Sequence, residues 1–178
     1  MSIQNHTIYV DGSCLGNQNV DANTPAGWGY VVVVGDTGLG KGVGELLIEN
    51  FGKVITDNNN DDFIGAEIGS NNTGELSAFA HALRWILTNQ SDGEYTIRTD
   101  STYAGNIADG TWKAKANLAL VKRVRSLWNE VGQLYKLSWN HVKAHRGHRW
   151  NERADHLASR AAAGELPIPF TFWKPGQR

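Results

Sequence analysis

The sequence predicts a single α/β domain, a sheet flanked by helices, and three observations lead to this class. Up to about residue 70 apolar side chains alternate as in strands, whereas from Gly74 they recur every three or four residues. Strand and helix patterns then take turns to residue 163, an order typical of α/β domains. The 178 residues contain no repeat or linker, so we assign a core at about 7–163 and an irregular tail at 164–178.

The strand predictions rest on alternation and on β-branched or aromatic composition. In "TIYVD", Ile8 and Val10 face away from Asp11, which ends the first strand. Glycines at 35–45 and polar residues at 57–62 indicate turns. Residues 46–56 and 63–69 could each be a strand and would complete an antiparallel meander. Strands are therefore predicted at 7–11, 28–34, 95–99 and 137–142, with 46–56 and 63–69 as further candidates, and the order is three strands, then helix, strand, helices, strand, helix.

The helix predictions rest on apolar spacing and on end signals. Leu76, Phe79, Leu83 and Ile86 fall on one side of a helix that ends near Asn89. The last helix is rich in alanine and is followed by Gly164, a suitable C-cap. Helices are predicted at 74–89, 102–110, 118–134 and 151–163.

Composition favours a cytoplasmic protein outside the membrane. No apolar run approaches the roughly 20 residues of a membrane span, and the start "MSIQNHTIYVDGS" lacks the basic and apolar regions of a signal peptide. Cys14 is the only cysteine, so no disulfide can form within the chain, which fits a reducing compartment. We expect a monomer.

The net charge of −1 conceals two halves of opposite sign. Residues 1–110 carry four basic and 14 acidic side chains, a net charge of −10, whereas residues 111–178 carry 13 basic and four acidic ones, a net charge of +9. A basic region can neutralise phosphates, and clustered acids can hold divalent metal ions. The alternative is that the two halves only complement each other electrostatically.

Four acids are placed where they could converge. Asp11 and Asp100 each end a strand, Glu75 lies in the first turn of a helix and Asp155 lies inside the last helix. If the two strands pair in parallel, Asp11 and Asp100 become neighbours. Close carboxylates repel each other unless one is protonated or a cation lies between them, and an all-oxygen cluster suits Mg²⁺ or Mn²⁺.

Each acid also has a local explanation. Asn72 could be the N-cap of the helix with Glu75 as its capping-box partner. Asp11 and Asp100 could form turns by accepting backbone N–H groups. Asp155 could pair with Arg149 or Arg153 on the helix surface. Local roles explain single acids better than they explain all four together.

Four segments resemble, in order, the signature blocks of type 1 ribonuclease H: "YVDGSCLGN", "NNTGELSAFAHAL", "IRTDSTYAGNI" and "HVKAHRGHRWNERADHLA". The resemblance spans about residues 7–163. It implies a ribonuclease H-like α/β fold, a five-stranded mixed sheet in the order 3-2-1-4-5 flanked by helices. It also implies metal-dependent cleavage of the RNA strand of an RNA/DNA hybrid.

The resemblance assigns catalytic and metal-binding roles. Asp11 would bridge two Mg²⁺ ions, for which Mn²⁺ could substitute. Glu75 and Asp100 would hold the ion that activates the attacking water. Asp155 would hold the other ion, which stabilises the 3′-oxygen leaving group. The products would carry 5′-phosphate and 3′-hydroxyl ends. His145, in the "KAHRGH" loop, would assist proton transfer or product release. The other histidines are assigned to surface or packing roles: His6, His81, His141, His148 and His156.

The resemblance also assigns substrate contacts. Asn17, Asn71 and Asn72 would touch the minor groove of the hybrid, where 2′-hydroxyls distinguish RNA from DNA. Turns and helix caps are the alternative roles for these asparagines. The remaining candidates are Gly12 and Ser13 for close backbone approach, Ser70 with Asn117 for a DNA phosphate, and Tyr103 with Trp112 for the DNA channel.

Two departures from the family pattern concern length. Only "ADGTWKAKA" separates Ile107 from Asn117, so the basic handle of some members is absent or short, and affinity must rest on other cations. Those candidates are Lys113, Lys115, Lys122, Arg123, Arg125, Lys143, Arg146 and Arg149. Residues 35–69 are longer than in compact members, which suggests extended second and third strands.

Two other functions compete with hybrid cleavage. One is a catalytically silent hybrid-binding module, which the presence of all four acids disfavours. The other is a proofreading exonuclease on the same fold, but such enzymes carry an Asp-x-Glu pair on the first strand, and here Asp11 is followed by Gly12 and Ser13.

Overall fold

A five-stranded sheet with helices on both faces makes up the computed structural model, which describes residues 3–177. The strands are β1 His6–Cys14, β2 Ala26–Val34, β3 Glu45–Lys53, β4 Glu94–Thr99 and β5 Lys136–His141. The helices are α1 Asn71–Asn89, α2 Thr102–Ala108, α3 Leu118–Leu134 and α4 Arg149–Ala163, followed by a 3-10 turn at Phe170–Phe172. The sheet order is β3-β2-β1-β4-β5, which confirms the predicted order.

The mixed sheet has antiparallel and parallel halves. β1 pairs antiparallel with β2 and β2 with β3, whereas β1 with β4 and β4 with β5 are parallel. Alternation divides β1 between two cores: Ile8 and Val10 pack in the cluster that contains α1 and α3 residues, and Tyr9 packs with Leu157 of α4. The sidedness predicted for the first strand is therefore confirmed.

Several predicted boundaries were wrong. β1 continues past Asp11 to Cys14 because it stays paired with β2 there, and β3 ends at Lys53 instead of residue 56. The predicted strand 63–69 is irregular. Gly65 has a φ of +119°, and a Cβ there would lie 2.7 Å from the backbone nitrogen of Leu120. The segment is therefore pressed against the start of α3 instead of extending the sheet.

The short segment between α2 and α3, residues 109–117, contains no helix. Side chains from other elements hold it in place. The Arg125 guanidinium donates to the Ile107 carbonyl at 2.9 Å and to the Trp112 carbonyl, and the Trp139 indole donates to Asp109 at 2.8 Å. Within residues 3–177 no helix combines the length and apolarity required to cross a bilayer.

The C-terminal segment packs back onto α4. The His156 ring accepts the Ile168 N–H at 2.9 Å, Phe170 stacks on Trp150 with ring centroids 5.7 Å apart, and Trp173 is buried. Apart from the 3-10 turn at Phe170–Phe172, the described part of this tail, residues 164–177, has no regular structure.

Arg153 joins α4 to both β3 and the tail. Its guanidinium binds both carboxylate oxygens of Glu49 at 2.8 and 2.7 Å and donates to the Ile168 carbonyl at 2.8 Å. The side chain is 1% exposed. Pairing of Arg153 with Asp155 on the helix surface, considered from sequence, is wrong, since Arg153 is turned toward the sheet.

Burial of His81 should make stability depend on pH. The ring stacks on Trp28 at 3.8 Å between centroids, and burial, with the nearby charge of Arg84, lowers the pKa of His81 from 6.5 to about 4. Between these values the unfolded chain binds a proton that the folded chain does not, so stability falls on acidification from pH 6.5 to about 4. We expect His81 to account for up to about 3 kcal/mol of this loss.

The measurement is urea unfolding from pH 4 to 8 for the wild type and His81→Phe. Burial also lowers the pKa of His6, His148 and His156, so only the difference between the two proteins reports on His81. We expect a shallower loss of stability in the variant below pH 6.5. Parallel curves would contradict the buried neutral histidine.

Candidate active site

Parallel pairing brings the first two acids together. The β1–β4 ladder ends at the pair Tyr9 and Arg98, and Asp11 and Asp100 each follow two residues later. Side chains two residues apart lie on the same side of a strand. The Nδ2 of Asn151, on α4, lies 3.4 Å from Asp100 Oδ2, so this pair of acids faces α4 at the carboxyl ends of the two strands.

Two glycines allow α1 to deliver the third acid. A Cβ on Gly12 would lie 2.1 Å from the backbone nitrogen of Glu75, and a Cβ on Gly74 would lie 2.6 Å from the Gly27 carbonyl oxygen. No side chain fits either gap, so the helix start touches the β1 backbone only because both residues are glycine. Glu75 thereby reaches the acids at the end of the sheet, where the nearby Ser101 hydroxyl lowers the pKa of its carboxyl group against the effect of burial.

The cap of α1 differs from the predicted one. Ser70 is the N-cap, its hydroxyl accepts the Thr73 N–H at 3.0 Å, and the Thr73 hydroxyl accepts the Ser70 N–H at 2.9 Å. Asn72 is therefore inside the helix, and the capping box that would have paired it with Glu75 is wrong. Because capping does not occupy the Glu75 carboxylate, that group is available to the acid cluster.

Three carboxylates form a tight cluster. One oxygen from each of Asp11, Glu75 and Asp100 lies within 4.8 Å of the others. Asp11 is 4% exposed and accepts the Gly12 N–H at 2.9 Å, while the other two acids are half-buried. Asp155 is outside this group of three, but its charge acts on both Asp11 and Asp100. The four predicted acids therefore share one site.

Burial and mutual repulsion make the cluster hold protons. Burial raises the pKa of Asp11 well above its ordinary value, and the charges of Asp100, Asp155 and Glu75 raise it further. Burial raises the pKa of Glu75 to about 7, against the opposing effect of the Ser101 hydrogen bond. Burial also raises the pKa of Asp100, while Asn151 and the charge of His145 lower it. The site therefore favours either a bound proton or a bound cation.

The donor set fits a hard divalent cation. All of the clustered ligand atoms are carboxylate oxygens, the type that Mg²⁺ and Mn²⁺ prefer, and the group contains no thiolate or imidazole. A divalent cation would offset the repulsion that raises the pKa values of Asp11 and Glu75. The residues therefore fit metal binding at this position.

The sequence matches the RNase H family over residues 4–163. The chain belongs to the RNase H family. It is similar to the ribonuclease H of Anaplasma marginale, with 33% identity over 172 residues that cover 91% of this chain and 93% of the relative. The ribonuclease H of Cupriavidus metallidurans is 33% identical over 169 residues, covering 90% of this chain and 97% of the relative. The chain is thus a hydrolase of the nuclease class.

Solved RNase H structures share the fold. RNase H1 from the halophilic archaeon Halobacterium salinarum matches with a TM-score of 0.63 at 24% identity, covering 90% of this chain and 98% of the other. LC11-RNase H1, solved in complex with an RNA/DNA hybrid, matches with a TM-score of 0.63 at 22% identity, covering 89% and 97%. At such identities the likeness concerns the fold alone.

In this RNase H chain, His145 belongs to the loop between β5 and α4. The residue is exposed, has a φ of 55°, and its charge lowers the pKa of Asp100. His148, three residues later, is buried and caps α4, with Nδ1 3.4 Å from the Asn151 N–H. Of the two loop histidines, His145 is exposed and acts on Asp100 through its charge, as His141 also does, whereas His148 is buried at the start of α4.

The predicted substrate residues occupy different environments. Asn17 Oδ1 accepts the Asn71 N–H at 3.2 Å, and both residues and Asn72 are exposed near the start of α1. The Ser70 hydroxyl is buried in the helix cap. The remaining candidates are Gly12 and Ser13, half-buried on β1; Asn117, with φ of 55° at the start of α3; Tyr103, packed against the core; and Trp112, 45% exposed.

Three residues that support the acids were missed from sequence. Asn151 donates to Asp100, Ser101 lowers the pKa of Glu75, and Ser159 lies 3.5 Å from Asp155 Oδ1 and 3.3 Å from the Ser13 hydroxyl. Asn151 and Ser159 are four residues before and after Asp155, so helical spacing alone places all three on one face. That spacing was the signal that could have found Asn151 and Ser159, whereas Ser101 lies outside α4.

Proposed function

We propose that this RNase H chain hydrolyses the RNA strand of RNA/DNA hybrids with two Mg²⁺ ions, leaving 5′-phosphate and 3′-hydroxyl ends. The observation that supports this most is the meeting of Asp11, Glu75 and Asp100 within 4.8 Å. Such a cluster has no structural benefit in the metal-free protein, because burial and mutual charge penalise its ionised form. Catalysis on a polyanionic substrate explains why the chain maintains it.

The four acids, Asp11, Glu75, Asp100 and Asp155, would hold the metal ions, and Mn²⁺ would substitute for Mg²⁺. The bound ions would supply Lewis-acid stabilisation of charge on the phosphate and a reactive water. The protein orients their ligands: Asn151 holds the Asp100 carboxylate, and the Ser101 hydroxyl favours the ionised form of Glu75. His145, exposed beside Asp100, would carry protons between the site and solvent or assist release of product.

Recognition of RNA would come from the start of α1. We propose that Asn17, Asn71 and Asn72 contact the minor groove, where the 2′-hydroxyls are accessible. Their exposure and the Asn17–Asn71 hydrogen bond at 3.2 Å support a shared surface. The other proposed contacts are Gly12 and Ser13 through their backbone, Ser70 and Asn117 at a DNA phosphate, and Tyr103 and Trp112 along the DNA strand.

The test is a labelled RNA/DNA hybrid incubated with and without Mg²⁺, beside single-stranded RNA, duplex RNA and duplex DNA. We expect cleavage of the RNA strand in the hybrid alone, dependent on the metal. Products should be extended by a polymerase and resist a 5′-kinase until dephosphorylated. Cleavage of DNA, or binding without cleavage in both Mg²⁺ and Mn²⁺, would overturn the proposal.

We also propose that the chain acts as a monomer in the cytoplasm. The single cysteine, Cys14, suits a reducing compartment. Light scattering coupled to size-exclusion chromatography should give the mass of one chain, 19.6 kDa. A mass of two chains that persists on dilution would contradict the monomer.

A further inference from the structure

A basic cavity lies beside the active site, on the loop between β5 and α4. Its volume is about 390 Å³. The lining includes four cationic side chains and no acidic one. We name this cavity the basic pocket, which His148 also lines. Its four cations come from three separate parts of the chain: Lys41, Arg98, Lys143 and Arg146.

The loop between β2 and β3 places Lys41 at this position. The Lys41 carbonyl accepts the Arg149 N–H at 2.9 Å, which ties the loop to the start of α4. Gly42 has a φ of +105°, and a Cβ there would lie 2.8 Å from the Arg149 Cβ, so the loop approaches α4 as closely as a glycine permits. A Cβ on Gly147 would lie 3.7 Å from Lys41 Nζ, so the lysine ammonium extends over the β5–α4 loop.

Arg98 forms the half-buried wall of the basic pocket. Its guanidinium donates to the Tyr9 hydroxyl at 2.7 Å and lies 3.4 Å from His148 Nε2. The Tyr9 hydroxyl in turn donates to Asp36. Asp36 lies behind Tyr9 and is not among the lining residues, so the lining itself is positively charged. The hydrogen bonds also fix the Arg98 side chain before any ligand arrives.

The pocket adjoins the acids. Arg98 lies on β4 and Asp100 directly follows the strand, two residues later, which corresponds to about 7 Å in extended chain. The Val142 N–H donates to the Thr99 carbonyl at 2.8 Å, so the loop that carries Lys143 and Arg146 starts at the level of Asp100. The same loop carries His145, whose charge reaches Asp100. A strand lying over the acids therefore passes close to the pocket.

We propose that the basic pocket binds a phosphate group of nucleic acid next to the scissile position. Four cations around one cavity repel each other unless an anion joins them, and an arginine with lysines suits phosphate oxygens. The phosphate can be a backbone phosphodiester of the bound hybrid or the 5′-phosphate of a cleaved RNA. The first source rests on the proposed hybrid cleavage, whereas phosphate binding itself does not.

The experiment compares Lys41→Gln/Arg146→Gln with a control that removes the same charge elsewhere, Arg84→Gln/Lys136→Gln. Lys136 starts β5 at the opposite end of the sheet, and Arg84 is exposed on α1. At low salt we expect the pocket variant to have a KM for hybrid about tenfold above that of the wild type and a kcat within about twofold of it. Its plot of log Kd against log salt concentration should have a slope smaller by about one to two. The control should do neither.

Binding assays separate the phosphate sources and keep the test independent of catalysis. Fluorescence anisotropy in EDTA measures the Kd of blunt hybrid without end phosphates, and of RNA with or without a 5′-phosphate. If the pocket variant binds the hybrid more weakly than the wild type does, the pocket binds a backbone phosphate. If only the binding of 5′-phosphorylated RNA is weaker, the pocket binds the 5′-phosphate of the product. Both binding results can still be interpreted if the wild type does not cleave hybrid. That failure would contradict the proposed function but not phosphate binding. If the pocket variant matches the control for every probe, the pocket is not a phosphate site.

Discussion

Asp11→Asn should lower kcat for hybrid cleavage by at least about 10³-fold while leaving the fold intact. Metal-assisted stabilisation of charge contributes several kcal/mol to such a reaction, and each 1.4 kcal/mol is tenfold in rate. Asp11 is the most buried of the clustered acids, and the charges of all three other acids raise its pKa. An amide in its place keeps the shape but removes the negative charge that attracts a cation.

The same substitution should not destabilise the metal-free protein. Because the pKa of Asp11 is raised in the folded state, the folded chain binds a proton more tightly than the unfolded chain, and stability falls as pH rises above the ordinary value of 3.8. At pH 7.5, in the absence of metal, the Asp11 carboxyl group therefore lowers the free energy of unfolding. We expect the melting temperature of Asp11→Asn in EDTA to equal or exceed that of the wild type.

Calorimetry and a matched control separate these effects. Asp92→Asn, exposed before β4 at the opposite end of the sheet, should change neither kcat nor the melting temperature. Adding Mg²⁺ should raise the melting temperature of the wild type, since a ligand stabilises the state that binds it. The Asp11→Asn protein should lose most of this rise. Residual activity above about one tenth, or a marked loss of stability in EDTA, would contradict the proposed role.

The acids were predictable because their positions depend on local pattern. Alternation in β1 and the end of β4 place Asp11 and Asp100 along their own strands. The strand order implied by the family resemblance makes these two strands neighbours, and they pair in parallel. The start of α1 was less predictable, since Ser70, Asn71, Asn72 and Thr73 are four successive residues that can all cap a helix. Only the reciprocal bonds between Ser70 and Thr73 in the folded chain decide among them.

Non-local contacts explain the other errors. Residues 63–69 have the composition of a strand, but Gly65 is pressed against α3, and nothing within that segment reveals α3. Arg153 is different, because helical spacing argued against the surface pair considered for it: residues two apart do not face each other on a helix. Its partner, Glu49, is 104 residues distant, which no local pattern could show.

Glu49→Gln should destabilise the protein by about 3 kcal/mol, because it leaves the Arg153 guanidinium buried without a balancing charge. Arg153 is 1% exposed, pairs with Glu49 and donates to the Ile168 carbonyl. Its guanidinium carbon also lies 5.5 Å from the ring centroid of Phe170 and 5.3 Å from that of Trp173. For a chain of this size the loss corresponds to about 10 °C in melting temperature. Glu45→Gln, exposed on the same strand, is the control and should change stability by less than about 0.5 kcal/mol.

A double replacement distinguishes an uncompensated charge from lost packing. Glu49→Leu with Arg153→Met removes both charges and retains apolar volume against Phe170 and Trp173, so we expect stability within about 1 kcal/mol of the wild type. Arg153 is two residues before Asp155, and the tail that it anchors covers α4. If the ion pair serves only stability, kcat well below the melting temperature should stay within about twofold in Glu49→Gln. A larger fall in kcat with a normal melting temperature would instead mean that the pair holds α4, and with it Asp155, in register with the other acids.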